Sequence, residues 1–171
     1  MKSNLKLRNI IFPVWFLWVL PPVWLVIIPI NIIIDAVVLY LSMKYMEIID
    51  IKEKVKKIIV KTVLFGFLSD IIGSLLLLIS VLLIDVDYKT DFGKWWIDNV
   101  RPAATNPFDS VISFLIVVLA IGIAGILIYY LNKKFAFKNL DIEEYEKHIL
   151  ARNMAIFTAP YLYLIPAVWF K

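Results

Sequence analysis

Two aspartates lie inside otherwise apolar stretches of this chain. Asp35 sits in NIIIDAVVLYLSMK and Asp70 in VLFGFLSDIIGSLLLL. A carboxylate in hydrocarbon is costly, so it marks a functional site or a specific partner. Asp35 precedes Lys44 by nine residues, and Asp70 follows Lys61 by nine. At 1.5 Å per helical residue, each lies about 13 Å from a lysine flanking the same polar connection. That places both near the middle of a bilayer at similar height. Consecutive antiparallel helices are usually neighbours. Two neighbouring carboxylates in low dielectric share a proton or hold a cation between them. Proton relays and coupling-ion sites are built this way.

Polar and small residues accompany the pair. Asn31 is four residues before Asp35 and Ser74 four after Asp70, each on the aspartate's helical face. Gly66 and Gly73 flank Asp70 and permit close helix approach. The expected site is therefore Asp35 and Asp70 as charge-binding groups, with Asn31, Ser69 and Ser74 as supporting ligands. The competing reading is structural: protonated acids hydrogen-bonded to Asn, Ser or carbonyl groups would tie helices together. Intramembrane aspartyl proteases also use two aspartates on adjacent helices. They carry a Gly-x-Gly-Asp element, where this chain has Phe67-Leu68-Ser69-Asp70, and the family is not carried over.

Other chemistry is thinly represented. The chain has no cysteine, which excludes disulfides, thiolate catalysis and thiolate metal sites. Its one histidine, His148, falls in a polar connecting segment. No catalytic residue, metal site or cofactor is expected. Asp85-Val-Asp87 and Asp91 read as solvated acids at a helix end rather than a cation site.

The elements that position the aspartates follow from composition. The 171 residues are 62% hydrophobic with mean hydropathy +0.85, whereas a soluble domain is about half apolar. The surplus apolar surface must face lipid. The net charge of +4 does not indicate nucleic acid, because the basic residues cluster at the ends of apolar segments. MKSNLKLRN could open a signal peptide, but the apolar stretch after it is too long and carries four prolines. It is read as membrane structure.

The expected architecture is all-α: a single polytopic helix bundle of five membrane segments, at about 10–28, 31–46, 58–84, 108–131 and 150–170. The stretch Ile10–Met43 is too long for one crossing, and both its flanks read as cytoplasmic. A turn near Pro29–Asn31, with Asn31 capping the second helix, satisfies both flanks. One long broken helix would give four segments instead. The region 44–61 has six lysines, and 132–152 has four lysines and Arg152, so both read as cytoplasmic. The region 85–109 carries five acids and reads as external. The orientation is then N-inside and C-outside in the plasma (inner) membrane.

Smaller signals mark ends and interfaces. Ile48–Ile59 reads as a helical extension or an interfacial helix. Asp141 with Glu144 has capping-box spacing, and Asn106-Pro107 reads as the start of the fourth segment. Lys94-Trp95-Trp96 and Trp169 read as an external aromatic belt, with Trp15, Trp18 and Trp24 anchoring the first arm. Gly122, Gly125, Ala120 and Ala124 give the fourth segment a small-residue face for close packing. Pro160 and Pro166 break the last segment, with Thr158 available to satisfy freed carbonyls.

The functional expectation is a small transporter or channel, or a subunit of one, for a proton or small cation. The alternative is a non-catalytic anchor, immunity or assembly subunit; an intramembrane enzyme ranks third. Expected partners are the bilayer and copies of the chain or other membrane subunits.

Overall fold

The computed structural model describes residues 21–82, 89–166 and 169. Helix α1 spans Pro21–Tyr45, α2 Ile51–Leu82, α3 Asp91–Asn99, α4 Val111–Leu131 and α5 Glu144–Phe157. Short turns at Arg101–Ala104, Pro107–Asp109, Asn132–Ala136 and Tyr161–Leu164 complete the described elements, which include no strand. The chain is an all-α bundle, as its composition requires.

Among the described residues, three helices are long and apolar enough to cross a membrane: Ile28–Tyr45, Ile51–Ile79 and Val111–Ala136. Their outward faces are rich in Ile, Leu and Val; Ile33, Leu64 and Leu119 are each about 60% exposed. Such surface is stable only against lipid or a partner. Helix α2 has 32 residues and is about 48 Å long, more than the hydrocarbon core requires. Its lysine-rich first turns therefore continue the helix beyond the apolar part, so Ile51–Ile59 is an extension of α2.

The expected turn at Pro29–Asn31 is absent. Helix α1 runs through both residues, and Asn31 is helical rather than a cap. A proline inside a helix costs about 3 kcal/mol. Opening the chain there would strip several backbone groups of partners, at several kcal/mol each in hydrocarbon. The continuous helix is the cheaper solution. Residues 10–20 of the expected first arm, with Trp15 and Trp18, fall outside the described residues, as do Asp85 and Asp87, while the rest of that arm is the start of α1.

Helix α1 ends in a Schellman motif. The N–H of Ile48 donates to Met43 O and that of Glu47 to Lys44 O, both at 3.1 Å. Glu47 adopts φ 58°, the left-handed conformation that this cap demands. Ile48 packs on the cluster containing Met43, completing the motif's apolar contact. The reversal sends α2 back along α1.

The remaining helix starts differ slightly from expectation. Asn106 caps only the turn Pro107–Asp109, accepting from Phe108 N at 3.3 Å. Ser110 caps α4, accepting from Ser113 N at 3.0 Å. Glu143, not Asp141, caps α5 in a reciprocal box with Glu146. The buried face of α5 carries Lys147, Leu150, Ala151 and Met154.

Helix α2 packs against both α1 and α4, and α5 closes the bundle against α4 and α1. Two apolar clusters form. One, at the lysine-rich end, includes Leu39, Met43, Ile58, Phe137 and Leu150. The other, toward the opposite end, includes Leu77, Ala103, Val117 and Tyr163. Gly73 lets α2 lie close against α4. A Cβ there would lie 3.2 Å from Ala124 Cβ and 3.3 Å from Ala120 O. Ala120 and Ala124 thus form the small-residue face used inside the bundle. Gly122 points away, with nothing near its hypothetical Cβ within 4 Å.

Candidate functional site

Between the two apolar clusters lies a polar layer. Along α2, Asp70 falls between Ile58 of one cluster and Leu77 of the other. Asp35 on α1 is one turn before Leu39. Both aspartates are buried, at 6% and 8% exposure.

The two carboxylates line one cavity of about 300 Å³. Asn31 lines it one turn from Asp35, and Gly66 lines it one turn from Asp70. A Cβ on Gly66 would lie 3.8 Å from Asp35 Oδ2, so Asp35 reaches across to α2. The glycine leaves the space that the carboxylate uses. Asp70 Oδ1 is buried without a hydrogen-bond partner among the described residues. An orphaned carboxylate oxygen is unusual, because burial of such an atom goes uncompensated.

The third wall is the C-terminal segment, and here the helix breaks. Helix α5 stops at Phe157, and the chain resumes as the turn Tyr161–Leu164. Proline lacks an N–H and disfavours helical geometry in the preceding residue, so Pro160 ends the helix. Thr158 closes the last turn, with both its N–H and its Oγ1 donating to Met154 O at 2.9 and 2.8 Å, so the carbonyl freed by Pro160 is Ile156 O. Tyr161 OH donates to Ile156 O at 2.6 Å. Phe157, Thr158, Pro160 and Tyr161 all face the cavity. The segment expected at 150–170 is therefore the second half of α5 followed by an irregular passage. Tyr163 OH donates to Asp70 O, fastening that passage to α2.

The break has an electrostatic consequence. The C-terminal end of a helix carries a partial negative charge. The end of α5 adds this to two carboxylates and to the Asn31 side chain. The cavity's two carboxylates and the helix end favour positive charge, and the Asn31 carboxamide adds one acceptor oxygen.

The expected supporting residues divide. Asn31 joins Asp35 and Asp70 at the cavity. Ser69 and Ser74 do not line it. Ser69 Oγ donates to Phe65 O at 2.7 Å, and Ser74 Oγ to Ile71 O at 2.8 Å, each back onto α2. A hydroxyl in a membrane helix commonly bonds the preceding turn in this way.

Sequence reasoning missed Thr62 and assigned Thr158 only to the helix break. Thr62 is 1% exposed, and its Oγ1 has no partner among the described residues. It lies two turns from Asp70 on the same face, with Gly66 between. The four-residue spacing Thr62, Gly66, Asp70 was available as a signal. Toward the lysine-rich end, Asn153 Nδ2 donates to Ser42 Oγ at 3.1 Å, joining α5 to α1. Among the described residues, no cluster of three acidic or histidine side chains forms.

Comparison with family models, characterised proteins and solved structures returned no match, so the site must be interpreted from its own geometry.

Proposed function

We propose that this chain is a small multipass membrane protein that moves a proton or small cation, alone or as a subunit, through the Asp35–Asp70 cavity. One observation carries the reading: both carboxylates open into a single cavity where the C-terminal helix breaks. Broken helices whose C-terminal ends face a midplane cation site are a recurring transporter arrangement. The volume of about 300 Å³ is about ten times a water's share of the liquid, enough for a hydrated cation or a water chain. A bundle this slender supports a wider pathway only by associating with other subunits.

The test is flux in liposomes containing the purified protein, with a proton gradient and with monovalent cation gradients. Asp35→Asn and Asp70→Asn keep the side-chain volume and remove the charge. Each is expected to lower flux at least about tenfold, the scale of one displaced charge interaction of about 1.4 kcal/mol. Undiminished flux in both variants would remove the cavity from the pathway.

A second reading is a non-catalytic membrane subunit. It is favoured by the outward face of α4, where Gly122 leaves open space beside Gly125 and Ala155. Small residues on a lipid-facing surface suit close approach of another helix. That reading expects co-purifying membrane chains in gentle detergent and no intrinsic flux.

A further inference from the structure

At the lysine-rich end of the bundle, a second concavity of about 530 Å³ lies away from the carboxylate cavity. Four lysines line it: Lys133, Lys134, Lys138 and Lys147. Glu144 is the only acid among its lining residues. Two elements build it. After α4 the helix widens into a π-turn over Asn132–Ala136, which carries Lys133 and Lys134. The first turns of α5 bring Lys147 and Glu144 against it. Such π-turns are often found at functional sites.

The lysines are not equivalent solvated charges. Lys147 is only 9% exposed and binds Glu144 Oε1 at 2.9 Å. Lys133 is held by Tyr129, with Nζ 3.3 Å from its hydroxyl and 5.8 Å from its ring centre. Tyr129 is fixed in turn by His148 Nδ1 at 2.6 Å. Glu144 is the one acid set against four ammonium groups, pairing with Lys147 and interacting with Lys133, so the concave wall carries net positive charge. Like charges held together disfavour the site unless an anion enters.

The position identifies the anion. Ala136 ends the apolar stretch Val111–Ala136, so with α4 crossing a bilayer the lysines fall at the level of the lipid phosphates. Tyr130 and Phe135 form the rest of the lining and are 62% and 48% exposed. Exposed aromatic rings beside lysines suit a ligand with an apolar portion, as interfacial aromatics do. A free phosphate would make no use of them. We propose that this pocket binds the phosphate headgroup of an anionic membrane lipid, with Lys133, Lys134 and Lys138 contacting the phosphate. Basic pockets between membrane helices are suited to such headgroups.

The test compares lipid retained by the purified full chain, read by native mass spectrometry, with thermal stabilisation in detergent. The probes are phosphatidylglycerol, phosphatidylcholine and inorganic phosphate. Phosphatidylglycerol is expected to be retained at least about tenfold over phosphatidylcholine. The triple variant Lys133→Gln, Lys134→Gln, Lys138→Gln should lose that preference. The triple variant Lys52→Gln, Lys56→Gln, Lys61→Gln, with the same charge change on α2, should keep it. If the first triple variant does not fold, Lys138→Gln alone, at an exposed position, should weaken retention about fivefold. Equal loss in both triple variants would show diffuse charge attraction and overturn the site. Stabilisation by inorganic phosphate equal to that by phosphatidylglycerol would overturn the lipid in favour of a soluble anion.

Discussion

Glycines show how much a single atom decides in this bundle. At Gly73 an added methyl meets the Ala120 carbonyl oxygen at 3.3 Å, and a backbone atom gives way poorly. Gly73→Ala is expected to destabilise by about 1–3 kcal/mol, the range for overpacking a tight contact. Gly122→Ala, where nothing lies within 4 Å, should instead stabilise by about 0.5–1 kcal/mol, the gain of alanine over glycine inside a helix. Thermal unfolding in one detergent compares the two, and equal shifts would refute the packing assigned to Gly73. The aspartates show the limit of reading residue types alone. Asp35, Asp70 and Asn31 were legible because their cost in hydrocarbon and their spacing are properties of the sequence. Ser69, beside Asp70 in sequence, and Ser74, one turn after it, looked like ligands, yet their hydroxyls turn back to Phe65 O and Ile71 O. Which way a rotatable hydroxyl points depends on its surroundings, which spacing does not record.

At the scale of elements, helix ends carry most of the specificity. Glu47 occupies the left-handed C′ position of the Schellman motif, a place that favours glycine. Glu47→Gly is expected to stabilise by about 0.5–1 kcal/mol by relieving the Cβ contact, measured as a rise in unfolding midpoint. A lower midpoint would mean that the glutamate side chain contributes a contact of its own. At the start of α5, the hydrogen bond and charge of Lys147 hold Glu144 below its usual carboxylate value of 4.5. A depressed acid stabilises the fold above its unfolded value, and that contribution is lost as pH falls through the lower folded value. Unfolding midpoints measured from pH 7 to pH 3 should therefore fall below about pH 4.5. Glu144→Gln should remove this pair's share of the fall while leaving the slope above pH 5 unchanged. The expected hairpin turn at Pro29–Asn31 failed at this same scale. The basic flanks favour an even number of crossings, but in hydrocarbon the backbone groups freed by a turn cost more than a proline within the helix.

The whole molecule is organised by one apolar cluster at each end and a polar layer between. Its charges are arranged to match, with lysines gathered around the α1–α2 and α4–α5 connections and acids around α3. Single cysteines test this orientation cleanly, because the chain has none of its own. Glu53→Cys and Lys138→Cys are expected to react with an impermeant maleimide only from the cytoplasmic side. Asp98→Cys, on the exposed surface of α3, should react only from outside. Labelling of all three from one side would refute a crossing by α2.

The sequence by itself determined the surplus of apolar surface, the helical class and the equal helical distance of the two aspartates from one lysine-flanked connection. These follow from composition, from the rise per residue and from the lysines that bracket one connection. Tertiary structure decided that the carboxylates share a cavity, because facing depends on how α1 rotates against α2, and Gly66 makes room for it. It also brought the break in the C-terminal segment to that cavity. Pro160 announces a break, but only the packing of α5 against α4 and α1 places the break beside Asp35 and Asp70. The lysines of the second pocket were legible as a charged flank. Their convergence with Tyr130 and Phe135 required the π-turn, a widening that no residue in Asn132–Ala136 signals by type.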